Sequence, residues 1–148
     1  MTEKYELSTA QRELLRNQPI ARLATSTAGG EPYLVPVTFI VSEDEIVVVI
    51  DDKPKSDVTL RRVRNIKENS SVAVLLDHYE DDWGELWWVL IRGVGEILQF
   101  HDFSDKQQLK IPEIFREKYH QYKELSFAEK VFISINIEAV SSWRFDNS

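Results

Sequence analysis

Apolar and polar positions along the 148-residue chain change period several times, and each change marks an element. Ala10, Leu14 and Leu15 recur at helical spacing behind Ser8, and Gln11 stands where the second half of a capping box belongs. The spacing predicts a short helix from Thr9 to Asn17, stopped by Pro19. Ile20 to Ser26 then alternates, Tyr33 to Val41 is rich in β-branched and aromatic residues, and Ile46 to Ile50 is an unbroken apolar run. The turn signals Gly29-Gly30 and Glu43-Asp44 separate these stretches, which read as three antiparallel strands. After the polar stretch Asp51 to Ser56, Asp57 opens a helix with Val58, Val63 and Ile66 on one side, and Asn69-Ser70-Ser71 ends it. Val72 to Leu76 is a strand. Leu86 to Leu98 is a longer one, with Gly93 and Gly95 placed for a bulge or a tight bend. His101 to Gln107 reads as a connector, Pro112 to Tyr122 as a helix and Phe127 to Lys130 as a further helical turn. Phe132 to Ile137 is the last expected strand, with Ser141 to Phe145 trailing from it.

About six short strands with a helix inserted after the third predict a mainly β protein, a small closed barrel with helical additions, since closure removes exposed strand edges. No repeat or low-complexity linker divides the chain, so residues 1–148 read as one domain. Cysteine is absent, which excludes disulfides, thiolate chemistry and cysteine-based zinc sites. No window approaches the ~18 apolar residues of a membrane span, and the start MTEKYELST has no apolar signal region, so the expected location is the cytoplasm, with no membrane partner.

Charge changes this picture in one place. The net charge of −7 argues against nucleic acid, whose binding is driven by phosphate neutralisation. Yet Lys53, Lys55, Arg61, Arg62, Arg64 and Lys67 face Asp57 alone between residues 53 and 67, a local +5 that leaves −12 for the rest. A basic island in an acidic chain suits a small anionic ligand, although a solvated helix face has the same composition. Lys53, Pro54 and Lys55 lie where an apolar strand gives way to a helix N-terminus, whose free N–H groups and dipole attract anions. An ordinary basic turn would look alike.

Two further segments carry candidate chemistry. Pro36 interrupts the strand from Tyr33 to Val41, which suits an edge strand, or a place where main-chain groups stay available to the rim of a flat heteroaromatic ring. Trp83, Trp87 and Trp88 crowd one short stretch, and on a strand Trp87 and Trp88 point to opposite faces, one for the core and one for a partner or planar ligand. His78 lies near carboxylates without a metal-ligand spacing, and His101 and His120 are isolated. No nucleophile and base are paired by spacing, so no catalytic side chain is assigned and any redox chemistry would come from a cofactor.

The ordered set Ala21-Arg22-Leu23-Ala24-Thr25, Leu34 to Phe39, Asp52-Lys53-Pro54-Lys55, Leu60-Arg61-Arg62, Asn65-Ile66, Asp77-His78-Tyr79 and Asp82 through Val89 resembles the pyridoxamine-phosphate-oxidase-like split-barrel superfamily, in particular its coenzyme F420 (deazaflavin) branch. The resemblance covers roughly Ile20 to Gly95. It implies a six-stranded antiparallel split barrel of the FMN-binding type, with short flanking helices. It also implies a homodimer with two cofactor sites at the subunit interface, FMN or F420 as cofactor, and hydride transfer to or from a small organic molecule. A non-enzymatic carrier or sensor of a planar cofactor is the alternative. By likeness, Lys53, Lys55 and Arg61 would hold the cofactor phosphate and Pro36, Val37 and Thr38 would line the ring. Arg22 and Asp51 would flank the site, and Trp88 would come from the second subunit.

Overall fold

The computed structural model describes residues 5–50 and 57–145. Helix α1 (Thr9–Asn17) forms as its sequence predicts: Ser8 Oγ accepts from the Gln11 N–H at 3.1 Å and Gln11 Oε1 accepts from the Ser8 N–H at 2.8 Å. Strands β1 (Ala21–Ser26), β2 (Pro32–Val37), β3 (Ile40–Ser42) and β4 (Glu45–Ile50) follow. Next come α2 (Asp57–Glu68), β5 (Ser71–His78), β6 (Trp87–Gln99), α3 (Asp105–Lys118) and β7 (Val131–Arg144). Glu43 and Asp44, with φ of 51° and 65°, turn β3 into β4 as a two-residue hairpin of primed type requires. The Asp44 carboxylate then accepts from the Leu7 N–H and pairs with Arg12, which ties α1 to that hairpin. Among the described residues no helix is long and apolar enough to cross a membrane.

The strands form one antiparallel sheet of seven rather than six, in the order β2-β1-β5-β6-β7-β4-β3. The extra strand arises because the stretch expected as one strand breaks at Thr38-Phe39 into β2 and β3, which lie at opposite ends of the sheet order. Three peptide steps join Val37 to Ile40, at most about 11 Å, whereas a flat sheet of this width would separate its edges by roughly 29 Å. The sheet must therefore curl until its edges meet at that break. Among the described residues no ladder joins β2 to β3, which leaves the barrel split there.

Inward positions such as Leu23, Val37, Ile46, Val74, Ile91 and Ile135 fill the barrel, which Leu15 of α1 and Ile66 of α2 plug. Outside it, Ile40, Val47, Val49 and Phe132 pack beneath Ile111 and Phe115 of α3 and the following Tyr119, Tyr122 and Phe127. β4 is thus buried on both faces, which is why Ile46 to Ile50 is continuously apolar. Helix α3 begins seven residues before Pro112, where the sequence pattern had placed its start: Ser104 Oγ accepts from the Gln107 N–H at 3.1 Å and caps it. Pro112 costs the helix its bond to residue 108, which burial of Ile111 and Pro112 against the barrel offsets. Tyr119 lies beyond the helix, His120–Tyr122 is a single 3-10 turn, and no regular helix forms at Phe127 to Lys130.

β7 also corrects an expectation. It does not end at Ile137 but runs to Arg144, because β6 is long enough to pair with it from Gln99 back to Trp87. Arg92 pairs with Ala139 and Gly93 with Ile137, so Glu138 is the extra residue of a bulge. A Cβ on Gly93 would stand 2.2 Å from the Asn136 carbonyl oxygen, in backbone that cannot yield, whereas one on Gly95 would meet the Ile66 and Val72 side chains at 3.3 Å. Gly93→Ala should therefore destabilise the protein by about 3 kcal/mol and Gly95→Ala by roughly 1 kcal/mol in urea unfolding. Equal, small losses at both positions would contradict the close approach.

Candidate functional site

Alternation and register place several candidate residues on one face. On the outside of the curl, Arg22 of β1 stands opposite Pro36 of β2 and Leu75 of β5. Asp77, two residues beyond Leu75 and so on the same face, stands opposite Trp88 of β6, which stands opposite Trp143 of β7. Helix α3 covers the outside of β3, β4 and the first part of β7, whereas among the described residues this half is bordered only at its Trp88–Trp143 end, where α1 residues such as Ala10 and Leu14 line a pocket with both tryptophans. Leu34 is 65% exposed, Trp88 36% and Trp143 43%, values high for large apolar side chains. Within this face the Arg22 guanidinium donates to Asp77 Oδ1 at 2.8 Å, with about half of each side chain in solvent. Such an exposed pair adds little stability.

Of the other candidates, Val37 is buried in the barrel core and turns its side chain away from this face. Thr38 is half-buried at the strand break. Arg61 is exposed, with its guanidinium carbon 5.4 Å from the centre of the Tyr33 ring. Asn65 of α2 and Asn69, just past its end, donate to Thr25 Oγ1 at 3.1 Å and Ser26 Oγ at 2.8 Å and so set the helix against the end of β1. Asp51, Lys53 and Lys55 lie outside the described residues, as does the loop that was expected to hold a phosphate. The basic island is not uniformly a solvated face, for Arg62 is buried while Arg61, Arg64 and Lys67 are exposed.

The strand break carries a polar cluster that the sequence did not point to. Thr38 Oγ1 and the Tyr122 hydroxyl are 2.9 Å apart. The Phe39 N–H donates to the Tyr119 hydroxyl at 3.0 Å, and the Phe39 carbonyl accepts from Lys118 Nζ at 2.9 Å. The Tyr119 proton faces the carbonyls of Pro19 at 2.8 Å and Phe39 at 3.0 Å, and Lys118 Nζ also reaches the Leu15 carbonyl at 3.1 Å. The main-chain groups of Phe39 are therefore consumed within the protein, while Pro36 lies on β2, an edge strand of the sheet, one of the two places that its interruption of the strand suited. Burial pushes the Lys118 amine down from 10.5 to about 8. Burial, ahead of the Phe39 hydrogen bond that opposes it and the nearby Tyr122 that reinforces it, lifts the Tyr119 phenol to about 12. Among the described residues no three histidine or carboxylate side chains gather as a metal cage would require.

The comparisons with known proteins bear on this architecture directly. The family model of pyridoxamine 5'-phosphate oxidase matches residues 7–144, nearly the whole chain. The chain belongs to the pyridoxamine 5'-phosphate oxidase family. Among curated proteins, a 5a,11a-dehydrotetracycline/5a,11a-dehydrooxytetracycline reductase of Streptomyces rimosus is 38% identical over 69 residues, 45% of this chain and 47% of that one. The match thus spans less than half of that reductase. Two solved structures share the fold at a TM-score of 0.65 each. One is a FAD-binding protein of Mesorhizobium loti, 22% identical with 92% of this chain and 94% of the other covered. The other is the haem storage protein HutZ of Vibrio cholerae, 14% identical with 95% of each covered.

In this pyridoxamine 5'-phosphate oxidase family chain, then, Arg22, Pro36 and Trp88 share one outer face and Thr38 marks its split edge. Trp143, Tyr119, Tyr122 and Lys118 were missed. For Trp143, the Ser-Ser-Trp-Arg alternation after Val140 was the available signal; for the other three, no local pattern marks a contact made 79 or more residues away.

The Lys118 shift has a sign that can be checked. Between about 8 and 10.5 the folded chain holds fewer protons than the unfolded chain, so stability rises with pH across that window. Urea unfolding at about pH 7 and about pH 10 should show the wild type gaining stability relative to Lys118→Met as pH rises. A pH-independent difference would mean that Lys118 is not buried as described.

Proposed function

We propose that the protein binds FMN or coenzyme F420 at the interface of a homodimer and acts as an oxidoreductase, moving hydride to or from a small organic molecule. The observation that carries the reading is the uncovered outer face. It is apolar at Leu34, Leu75, Trp88 and Trp143 and holds the Arg22–Asp77 pair at its centre. On one protomer Pro36 and Trp88 lie on strands three spacings apart, about 14 Å. A second copy laid against this face would bring its Trp88 toward the Pro36 edge of the first and would bury the exposed apolar side chains. Membership of the pyridoxamine 5'-phosphate oxidase family supports the same arrangement.

Within that arrangement the bound cofactor supplies the hydride chemistry, and the chain binds and orients it. Lys53 and Lys55, before the N-terminus of α2, would hold its phosphate through charge-assisted hydrogen bonds. Arg61 would add charge near the same helix end. Pro36 donates no N–H and so keeps the edge of β2 open, while Thr38 offers a hydroxyl at the split and Val37 only its main chain. Burial of the face between two copies would exclude water from the ring and strengthen the Arg22–Asp77 pair.

One observation favours the second reading, a carrier or sensor without turnover: Arg22 and Asp77 satisfy each other and are not poised as acid or base. The absorption spectrum of the purified protein, repeated after addition of FMN and of F420, tests both readings. A bound-cofactor band with turnover of the reduced form over a panel of acceptors supports the oxidoreductase. A band without turnover supports the carrier, and no band with either cofactor removes both. Lys55→Ala should weaken the cofactor by at least ~1.5 kcal/mol, roughly tenfold, measured by fluorescence titration. An unchanged Kd would reject the phosphate role.

A further inference from the structure

The stretch from Asp105 to Tyr122 contributes no side chain to the uncovered outer face, yet it makes every side-chain hydrogen bond described at the strand break. We propose that Lys118, Tyr119 and Tyr122 are positioning residues that fix the conformation of Pro36 to Phe39, so that the α3 region governs how the split edge of the barrel grips a cofactor ring. This rests on the reading of that edge as cofactor-lining.

Three features argue for the role. First, the contacts converge on two consecutive residues: Tyr122 on the Thr38 hydroxyl, Tyr119 on both main-chain groups of Phe39, and Lys118 on the Phe39 carbonyl. Thr38 and Phe39 lie between β2 and β3, so no recorded ladder sets their backbone and these side chains replace it.

Second, the same groups anchor the break to its surroundings. Lys118 Nζ bonds the Leu15 carbonyl in the last turn of α1, Tyr119 bonds the Pro19 carbonyl just before β1, and Lys118 Nζ lies 3.7 Å from the Phe39 ring centre. Rotation of the segment would have to break bonds to α1, to the start of β1 and to α3 together. Third, the anchor is firm, because Tyr119 and Tyr122 stand edge-to-face, 5.5 Å apart and nearly fully buried, and both pack on Phe115. A side chain held in this way costs little further entropy when it holds another.

The tyrosines thus act on the ring through Thr38 and Phe39 and need not touch it. That separates the role from simple stability. Ser134 provides the comparison: its buried hydroxyl donates to Glu45 at 2.7 Å, away from the break.

The test titrates FMN, with F420 in parallel, into the full chain and into Tyr122→Phe, Tyr119→Phe, Thr38→Val and Ser134→Ala. The readouts are Kd, the shape and position of the bound cofactor's visible band, and the melting temperature of the apoprotein. Tyr122→Phe and Thr38→Val should each weaken the cofactor by roughly fivefold and alter the band in the same way, and the double variant should go no further than either alone. Tyr119→Phe should likewise weaken and shift it, whereas Ser134→Ala should lower the melting temperature and leave both Kd and band unchanged. Wild-type Kd and band shape in the tyrosine variants would overturn the inference and leave the cofactor reading intact. Fully additive losses at Thr38 and Tyr122 would overturn it too, since the tyrosine would then act independently. A wild type that binds neither FMN nor F420 would overturn the underlying reading and the inference with it.

Discussion

The two ends of the sheet are the two halves of one short stretch of chain, and this connection constrains the rest of the molecule. Because β2 and β3 are separated only by Thr38 and Phe39, the sheet has to curl, and its inward-facing aliphatic side chains have to share a single interior. The curl turns the break into a seam. At the seam the backbone leaves one edge of the sheet for the other without a recorded ladder between them, and side chains from the α3 region supply the missing hydrogen bonds. Closing the barrel and furnishing its split edge are thus one structural event.

The outside of the barrel is divided accordingly. α3 and the aromatic residues after it lie over β3, β4 and the first part of β7, where Phe103 meets Phe132 edge-on at 5.3 Å and Phe115 stacks on Phe127 at 5.6 Å. The bulge at Glu138 lets β7 continue beyond that layer and pair with β6 as far as Arg144, so that Trp143 joins Trp88 on the uncovered half. The Arg22–Asp77 pair, with exposed Arg92 and Ser141 on the same face, interrupts the apolar surface of Leu34, Leu75, Trp88 and Trp143. Charged groups set in an apolar patch give orientation more than affinity, because wrong registers would leave them unpaired. A haem storage protein and a FAD-binding protein share this fold at the same TM-score, so the fold by itself names no ligand.

Much of this was legible in the chain. The Ser8–Gln11 box and the helix behind it, the turn at Glu43-Asp44, the apolar strand Ile46 to Ile50 and the bulge near Gly93 all follow from local chemistry, and each occurs. The errors differ in cause. Reading Tyr33 to Val41 as one strand missed a break enforced by Tyr119 and Tyr122; starting a helix at Pro112 overlooked the Ser104 cap, because burial lets proline sit inside α3; ending the last strand at Ile137 ignored the length of its partner β6. At the strand break and in β7 a distant contact outweighed a local preference, whereas the Ser104 cap is itself local. Of the candidate site, Arg22, Pro36 and Trp88 were identified and fall on one face, while Lys118, Tyr119, Tyr122 and Trp143 were not.

By itself the sequence determined the capped helix behind Ser8, the alternation of the first strand, the turn at Glu43-Asp44 and the opposite faces of Trp87 and Trp88. Those features depend on residues within a few positions of each other, whose periodicity and backbone preferences act locally. Tertiary structure alone decided which half of the outer surface is covered, where the barrel splits, and what holds the split. Each of these rests on pairs such as Thr38 and Tyr122, 84 residues apart, whose meeting no local pattern encodes.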